Sequence, residues 1–480
     1  MKNTKFGALI AALILLVSIV AASAAEISEN YEEHSLVMAL NDETMYHNGI
    51  EITRKAPIMV YDKIYVSLYD IAAYMDFGIQ WQDIDHIKIT KSGRTAEFKR
   101  LRDCSELRGK THRFFVKDNT TYISLNDAAI LSKVYVSYKN GIIKLGNPIR
   151  STSELFGEVN LENQDDFIRK NYPIPPRFVV NPYRAYSHEN MMKDAGYFLE
   201  MYPELISTSV IGKSVEGRDL LLIEFGKGPN KIFVCGTHHA REYIATSYLM
   251  YAIERYAYAY HNGKNWGKFD VRKILDNVTF CIVPMVNPDG VNLVQNGMYA
   301  TKNPAALMKM DIYEGKNHGF RAWKANINGV DVNWNYDKDW DIERNKNGVG
   351  STGFNGYAPA TEPETVAISK YVDENMFDAY LSFHTQGQIF YWNDSPEKPL
   401  NIHKKLEADC GFIPVKSEAT GVGGSFFDYV YRKYEKPTIT FELCPYVGNY
   451  PYPDSDFDKV WWPARNLLLV VGNEIIKSKK

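Results

Sequence analysis

The feature that most constrains this chain is an apolar strand that stops at a glycine, passes through a short polar turn and re-emerges as a helix. Lys231-Ile232-Phe233-Val234-Cys235 is rich in strand formers and ends at Gly236, while Ala245 to Tyr256 reads as a helix with Leu249, Ala252 and Ile253 on one face. Between them lies Thr237-His238-His239-Ala240-Arg241-Glu242-Tyr243. A strand leading directly into a helix implies an α/β sheet, and such sheets bind ligands at the rim formed by their strands' carboxyl ends. His239 and Glu242 offer an imidazole nitrogen and a carboxylate oxygen at that rim, and the two can converge on one metal ion. The HxxE spacing is weak evidence alone, so the remaining parts must come from other strand ends.

Two further runs have the right form. Tyr380-Leu381-Ser382-Phe383 closes on His384, a candidate third ligand. Thr438-Ile439-Thr440-Phe441 is a strand closing on Glu442, a carboxylate whose burial is costly unless it has a use, as for a general base. Taken singly, a core histidine and an edge glutamate account for these positions; together with HxxE they form a set.

With these residues in view, the chain from about Asn181 onward resembles the zinc carboxypeptidase family. The blocks that carry the resemblance run in order: GKSVEGRDLLLI from Gly212, HAREYI from His239, PMVNPDGV from Pro284, GVDVN from Gly329, SFH from Ser382 and TFEL from Thr440. The resemblance implies an α/β/α sandwich with a mixed, twisted central sheet. It also implies one Zn2+ held by His239, Glu242 and His384, with Asp331 orienting His239 and Glu442 as the base that activates water. The family's oxyanion-stabilising arginine falls in Arg321-Ala322-Trp323-Lys324, so Lys324, with Arg321 beside it, is expected to supply the cation. Asn333 and Trp334 fall at substrate-binding positions, and Arg241 either reaches the substrate or forms a structural salt bridge. His238, next to His239, is expected to point away from the metal.

Two departures bear on the substrate. Family exopeptidases carry an arginine after Asn333 that clamps a terminal carboxylate; here Trp334 stands there, and an indole cannot form the bidentate pair of a guanidinium. An ungapped comparison puts Ala419 at the family's mobile tyrosine. The run WKANxxGVDxN is similar to the branch that cleaves γ-D-glutamyl-diamino acid bonds, which makes a peptide or muropeptide the expected substrate. A general metallocarboxypeptidase or amidase is the alternative. A non-enzymatic wall-binding protein on a peptidase scaffold is the third, and the intact ligand set and Glu442 argue against it.

The chain of 480 residues, 45% of them hydrophobic, is long enough for more than one core. Its net charge of -3 leaves no basic footprint for nucleic acid. Lys2 and Lys5 precede an apolar stretch to Val20 and a small-x-small site at Ala22-Ser23-Ala24, so residues 1–24 read as a signal peptide, with an uncleaved anchor as the competing reading, and the protein as secreted or cell-wall associated. No other segment is apolar enough to span a bilayer, so the mature chain is expected to have no transmembrane segment. Tyr65-Val66-Ser67-Leu68-Tyr69-Asp70-Ile71-Ala72 recurs as Tyr122-Ile123-Ser124-Leu125-Asn126-Asp127-Ala128-Ala129, and in the same register Trp81 falls on Tyr138. Residues 25–147 thus read as a duplicated α+β domain of strand, short helix and strand. It resembles the copper amine oxidase N-terminal-like domain, without a His/Cys cluster suited to copper, and is either a spacer or a contact to the cell wall. Residues 148–180, with Tyr172-Pro173-Ile174-Pro175-Pro176, read as a linker and 181–480 as the catalytic domain.

Several local expectations follow. Asn296 to Phe320 and Asn345 to Gly356 read as surface loops around the mouth of the site. Tyr391-Trp392 and Trp461-Trp462 could line that mouth but read first as core or helix-face residues, and Glu362 and Glu364 as framing a turn and helix start. Of the five cysteines, Cys235 and Cys281 read as buried, and Cys104, Cys410 and Cys444 could include one disulfide.

Overall fold

The computed structural model describes residues 36–479, apart from 41–42, 48–49, 61–62, 76, 92, 102–112, 133–134, 140–141, 147–171, 174–178, 311–318, 342–347 and 418–423. The expected signal peptide, Cys104 and Ala419 lie outside the described residues, as does most of the expected linker. Two compact units emerge, one within residues 1–157 and one within 158–480, with 79–84 grouped with the second. Among the described residues no helix is long and apolar enough to cross a membrane.

In the first unit the repeat read from the sequence is visible. Lys63–Ser67 and Thr120–Ser124, the equivalent strands of the two copies, pair antiparallel with Val66 opposite Ile123. Each runs into a helix, Leu68–Met75 and Leu125–Ser132. After the second helix the chain enters Tyr135–Lys139, which lies in a five-stranded sheet and not in the sheet of that pair.

The second unit is built on eight strands, numbered here within this unit: β1 (Ile206–Lys213), β2 (Asp219–Gly226), β3 (Asn230–Gly236), β4 (Val278–Val283), β5 (Ala379–His384), β6 (Ile389–Asn393), β7 (Ile413–Lys416) and β8 (Thr438–Glu442). Their order across the sheet is β1-β2-β4-β3-β5-β8-β6-β7. The central pairs β4/β3, β3/β5 and β5/β8 are parallel, and β1/β2, β2/β4 and β8/β6 are antiparallel, so the sheet is mixed as expected. Every residue of β4 and β5 is buried, the pattern of parallel strands covered on both faces.

Alternation along the strands sorts the core into two layers. Phe233, Cys235, Cys281 and Val283 face a cluster that includes Ile368 and Val372 of α4 (Pro363–Asp373) and Phe426 and Val430 of α5 (Phe426–Tyr434). On the opposite face Phe383 stacks near Tyr248 of α2 (Ile244–His261), and Phe280 lies under Gly472 of α6 (Leu467–Ser478). The result is the α/β/α sandwich. Helix α1 (His188–Met201) starts at a capping box in which Ser187 accepts from the backbone of Asn190, at the expected helix start. Helix α3 (Pro288–Asn296) starts at Asn287, whose side chain accepts from Gly290 N.

The structure corrects two local expectations. The insert from Asn296 to Phe320 contains a helix, Pro304–Met310, so it is not loop throughout. Cys410 and Cys444 are free thiols, like Cys235 and Cys281, and form no bridge with each other.

Candidate active site

Strand register builds the site. In the parallel pair β5/β8, His384 is the direct partner of Glu442, and in β3/β5 Gly236 is the partner of Phe383. The chain leaves β3 through Thr237, which adopts a positive φ of 59° without being glycine. That conformation is held by its surroundings: Thr237 Oγ1 lies 2.8 Å from Thr246 Oγ1, and Thr237 O accepts from Asn287 N. The turn sends the two adjacent histidines apart. His238 Nε2 meets the hydroxyl of Tyr336 at 2.8 Å in the core, and His239 faces Glu242 and His384.

His239, Glu242 and His384 are buried, and each offers one ligand atom within 4.8 Å of the others. His239 Nδ1 lies 2.9 Å from Glu242 Oε1, His384 Nδ1 lies 3.0 Å from Glu242 Oε2, and the two Nδ1 atoms face each other at 3.2 Å. Asp331 Oδ1 sits 3.3 Å from His239 Nε2, which favours the proton there and leaves the Nδ1 lone pair aimed at the cluster. Two imidazole lone pairs and a carboxylate converging in a buried space are satisfied by a tetrahedral-type cation, so the donor set fits zinc.

The charges respond to one another. Burial opposes a charge on His239, but Glu242 and then Asp331 outweigh it and raise the imidazole to about 9; burial lowers His384. Asp331 is held down to about 2, because His239 overcomes the cost of its burial. Burial and the neighbouring negative charge of Glu242 raise Glu442 to about 8; the positive charge of a cation held by the cluster would oppose that rise and favour the carboxylate that a general base requires. Zinc and a proton compete for the same Nδ1, so metal binding requires a neutral His239.

The cluster opens on a cavity of about 650 Å³ whose lining includes His239, Lys324, Asn333, Trp334, His384 and Glu442. Lys324 Nζ lies 3.5 Å from Glu242 Oε1. The structure thus brings six of the expected site residues to the cavity, with Glu242 in the adjoining cluster and Asp331 behind His239. Arg321 and Arg241 do not line the cavity: the Arg321 guanidinium lies over the Tyr450 ring, and Arg241 donates to Asn449 Oδ1 and Ala322 O.

Other functional positions escaped the sequence reading. Tyr391, expected in the core with the mouth of the site as the alternative, is 37% exposed and lines the cavity. Lys416, Phe427 and Asp428 also line it. Asn287 is fully buried and donates to the carbonyls of His238 and Ala325, both at 3.0 Å, tying the metal-bearing turn to the segment that carries Lys324. Its signal was present, since an Asn before Pro-Asp-Gly is a helix-cap pattern.

With this geometry in place, comparison with known proteins places the chain. The zinc carboxypeptidase family profile matches residues 191–409. The chain is 33% identical over 296 residues to gamma-D-glutamyl-L-diamino acid endopeptidase 1 of Lysinibacillus sphaericus, a match spanning 61% of this chain and 73% of that protein. It is 30% identical to the uncharacterized protein YqgT of Bacillus subtilis (strain 168), over 59% of this chain and 76% of that one. Mast cell carboxypeptidase A of Mus musculus is 29% identical over 51% of this chain and 59% of its own length. The crystal structure of thrombin activatable fibrinolysis inhibitor shares the fold, with a TM-score of 0.50 and 16% identity, over 93% of this chain and 100% of that one. Fold and site together define a zinc metallopeptidase. The chain belongs to the zinc carboxypeptidase family.

Proposed function

We propose that this protein is an exported peptidase of the cell wall that hydrolyses γ-D-glutamyl-diamino acid bonds. The observation that carries the reading is Trp334 in the cavity wall, at the position where the family's exopeptidases place a carboxylate-clamping arginine. A relative at 33% identity named for the γ-D-glutamyl-L-diamino acid bond supports it, and the n-region, apolar stretch and Ala22-Ser23-Ala24 support export.

His239, Glu242 and His384 would hold the zinc, which when bound supplies Lewis-acid polarisation of the scissile carbonyl and acidifies water. The protein's own groups divide the rest of the work. Glu442, half-buried at the end of β8, takes the proton from the attacking water on its carboxylate and returns it to the leaving amine. Lys324 presents a positive charge to the oxygen that becomes negative in the transition state. Asp331 keeps the Nε2 proton of His239 in place. Asn333 and Trp334 line the cavity where the substrate is positioned.

The test is to incubate the zinc-loaded protein with muropeptides and with ordinary peptides bearing free C-termini, identifying products by mass. Cleavage confined to the γ-D-glutamyl-diamino acid bond is expected. Efficient trimming of ordinary peptides, with muropeptides untouched, would instead establish the general carboxypeptidase reading that the likeness to mast cell carboxypeptidase A favours.

A further inference from the structure

The first unit carries a band of cations on a sheet face that hydrolysis does not use. Three of its strands, His86–Lys91, Arg94–Arg100 and Arg113–Lys117, lie side by side. Alternation buries Ile87, Ile89, Phe98 and Phe114 on one face. It leaves Lys88, Glu97, Lys99, Arg113, Phe115 and Lys117 on the other, none of them buried. Register then sets the spacing of the charges. Lys88 faces Glu97 across the antiparallel pair, but Lys99 stands directly beside Arg113 in the parallel one. Like charges opposite each other on neighbouring strands are destabilising. Among the described residues of these three strands Glu97 is the one carboxylate, and Lys88, Lys99, Arg113 and Lys117 make no ion pair with a described residue. At about 3.3 Å per residue and 4.8 Å between strands, the band from Lys88 to Lys117 runs diagonally for roughly 20 Å.

A small anion cannot span such a band. A linear polyanion can, and each cation it covers releases counterions into solution. A pleated face suits a chain whose charges lie in its own backbone, as in a phosphodiester polymer, whereas a polycarboxylate carries them on side groups. Phe115, between Arg113 and Lys117, is already stacked on Tyr122 with ring centroids 5.5 Å apart and edge-on to Tyr65 at 5.0 Å. The face therefore offers no row of free rings on which nucleobases could stack, but it does offer apolar surface to short carbon units between phosphates. We propose that this face docks a linear polyol phosphate, a chain of phosphodiesters joined by short polyol units. Lys99 and Arg113 share one phosphate, which removes their mutual repulsion, and Lys88 and Lys117 take phosphates further along the chain. The proposal stands whichever bond the second unit cleaves.

The experiment measures binding of labelled poly(glycerol phosphate) to the full zinc-loaded chain by fluorescence anisotropy, between about 50 and 200 mM salt. Poly-L-glutamate and oligothymidylate of matched charge are the comparison polymers. The wild type should bind poly(glycerol phosphate) more tightly than either, with Kd rising steeply as salt increases. The double variant Lys99→Gln/Lys117→Gln should bind about tenfold more weakly at low salt, and the slope of log Kd against log salt should fall by roughly one for each lysine removed. Its Tm should hold or rise, because the contact between like charges is gone. Arg113→Gln should also weaken binding; Arg113 is half-buried, and if that variant misfolds the pair of exposed lysines still decides the matter. Lys273→Gln/Lys405→Gln, which removes two exposed lysines of the second unit, should leave Kd within about twofold. No measurable binding by the wild type at the lowest salt would overturn the proposal, as would an equal loss in the second-unit pair. Tighter binding of poly-L-glutamate or oligothymidylate would overturn the assignment of the polymer.

Discussion

The two walls of the active-site cavity are made in different ways. On the sheet side, His239, His384 and Glu442 follow from the ends of three adjacent parallel strands, and their positions are set by backbone register. On the loop side, Lys324 sits on an irregular segment and Trp334 ends a short 3-10 helix (Val332–Trp334), both held by side-chain knots between blocks far apart in sequence. Asn287 grips the carbonyls of His238 and Ala325; Asn326 donates to Glu362 Oε2 at 2.7 Å and Glu364 Oε2 at 3.2 Å. Behind them Asp289, with no exposed surface, accepts from Ser214 Oγ, Glu216 N and Arg218 Nη1, joining the segment after β1 to the start of α3. The sheet wall supplies the metal-holding histidines and the base, and the loop wall supplies what can be altered without disturbing the strands.

This contrast predicts that damage to the sheet wall is the more severe. His239→Ala or His384→Ala removes one of three protein ligands, and zinc content after dialysis should fall close to zero with turnover at background. Full zinc retention in both variants would break the assignment. Next in size is Glu442→Gln, which keeps shape but cannot accept the proton: kcat should fall about 10²- to 10⁴-fold with zinc still bound. Near-normal turnover would move the base elsewhere.

On the loop wall, Lys324→Met should cost about 10²-fold in kcat, the scale of a lost transition-state charge contact, with smaller change in KM. Lys324→Arg should recover part of it, since a guanidinium supplies the same charge. An equal loss in kcat on Arg321→Met would shift the oxyanion role to Arg321, which the structure places over Tyr450 and outside the cavity lining.

The same contrast explains what was legible in the sequence. The strands that end at Gly236, His384 and Glu442 are apolar or β-branched runs, so composition locates them; His384 and Glu442 follow as the residues at a run's end, and His239 and Glu242 as the polar residues of the turn after Gly236. The duplication was legible because both copies keep their strand and helix; the sheets they join after the helix were not, since that depends on pairing partners remote in sequence. For Tyr391 the core was favoured over the mouth of the site because an aromatic in a strand is usually covered, and whether a helix covers that face is a tertiary matter. Asp428 and Lys416 carried no motif at all: one lies in a helix's first turn and the other at the end of an edge strand, and only the closing of the sheet edge brings them to one cavity. Glu362 and Glu364 were read as a turn and helix start, which the position of Glu362 before Pro363 bears out; their grip on Asn326 could not be read from spacing.

The smallest effect on catalysis should come from that grip, and it can be seen through pH. Glu364 is fully buried, and burial raises its carboxyl from 4.5 to about 7, although Val215 N and Asn326 donate to it. A carboxyl whose folded pKa lies above its unfolded one binds more protons in the native state. Stability from this group is therefore complete below pH 4.5, declines as pH rises, and is spent once pH exceeds about 7. The whole shift is worth about 3 kcal/mol at most. Urea denaturation of the wild type should show this decline between those limits. In Glu364→Gln the side chain stays neutral, can still accept from Asn326, and should flatten the profile, while kcat at a fixed pH changes by less than about threefold. A slope that persists unchanged in the glutamine variant would assign the pH dependence to another group. A large loss of kcat without loss of stability would mean that the knot at Asn326 sets the position of Lys324 directly, and the two walls of the site would then be less independent than their construction implies.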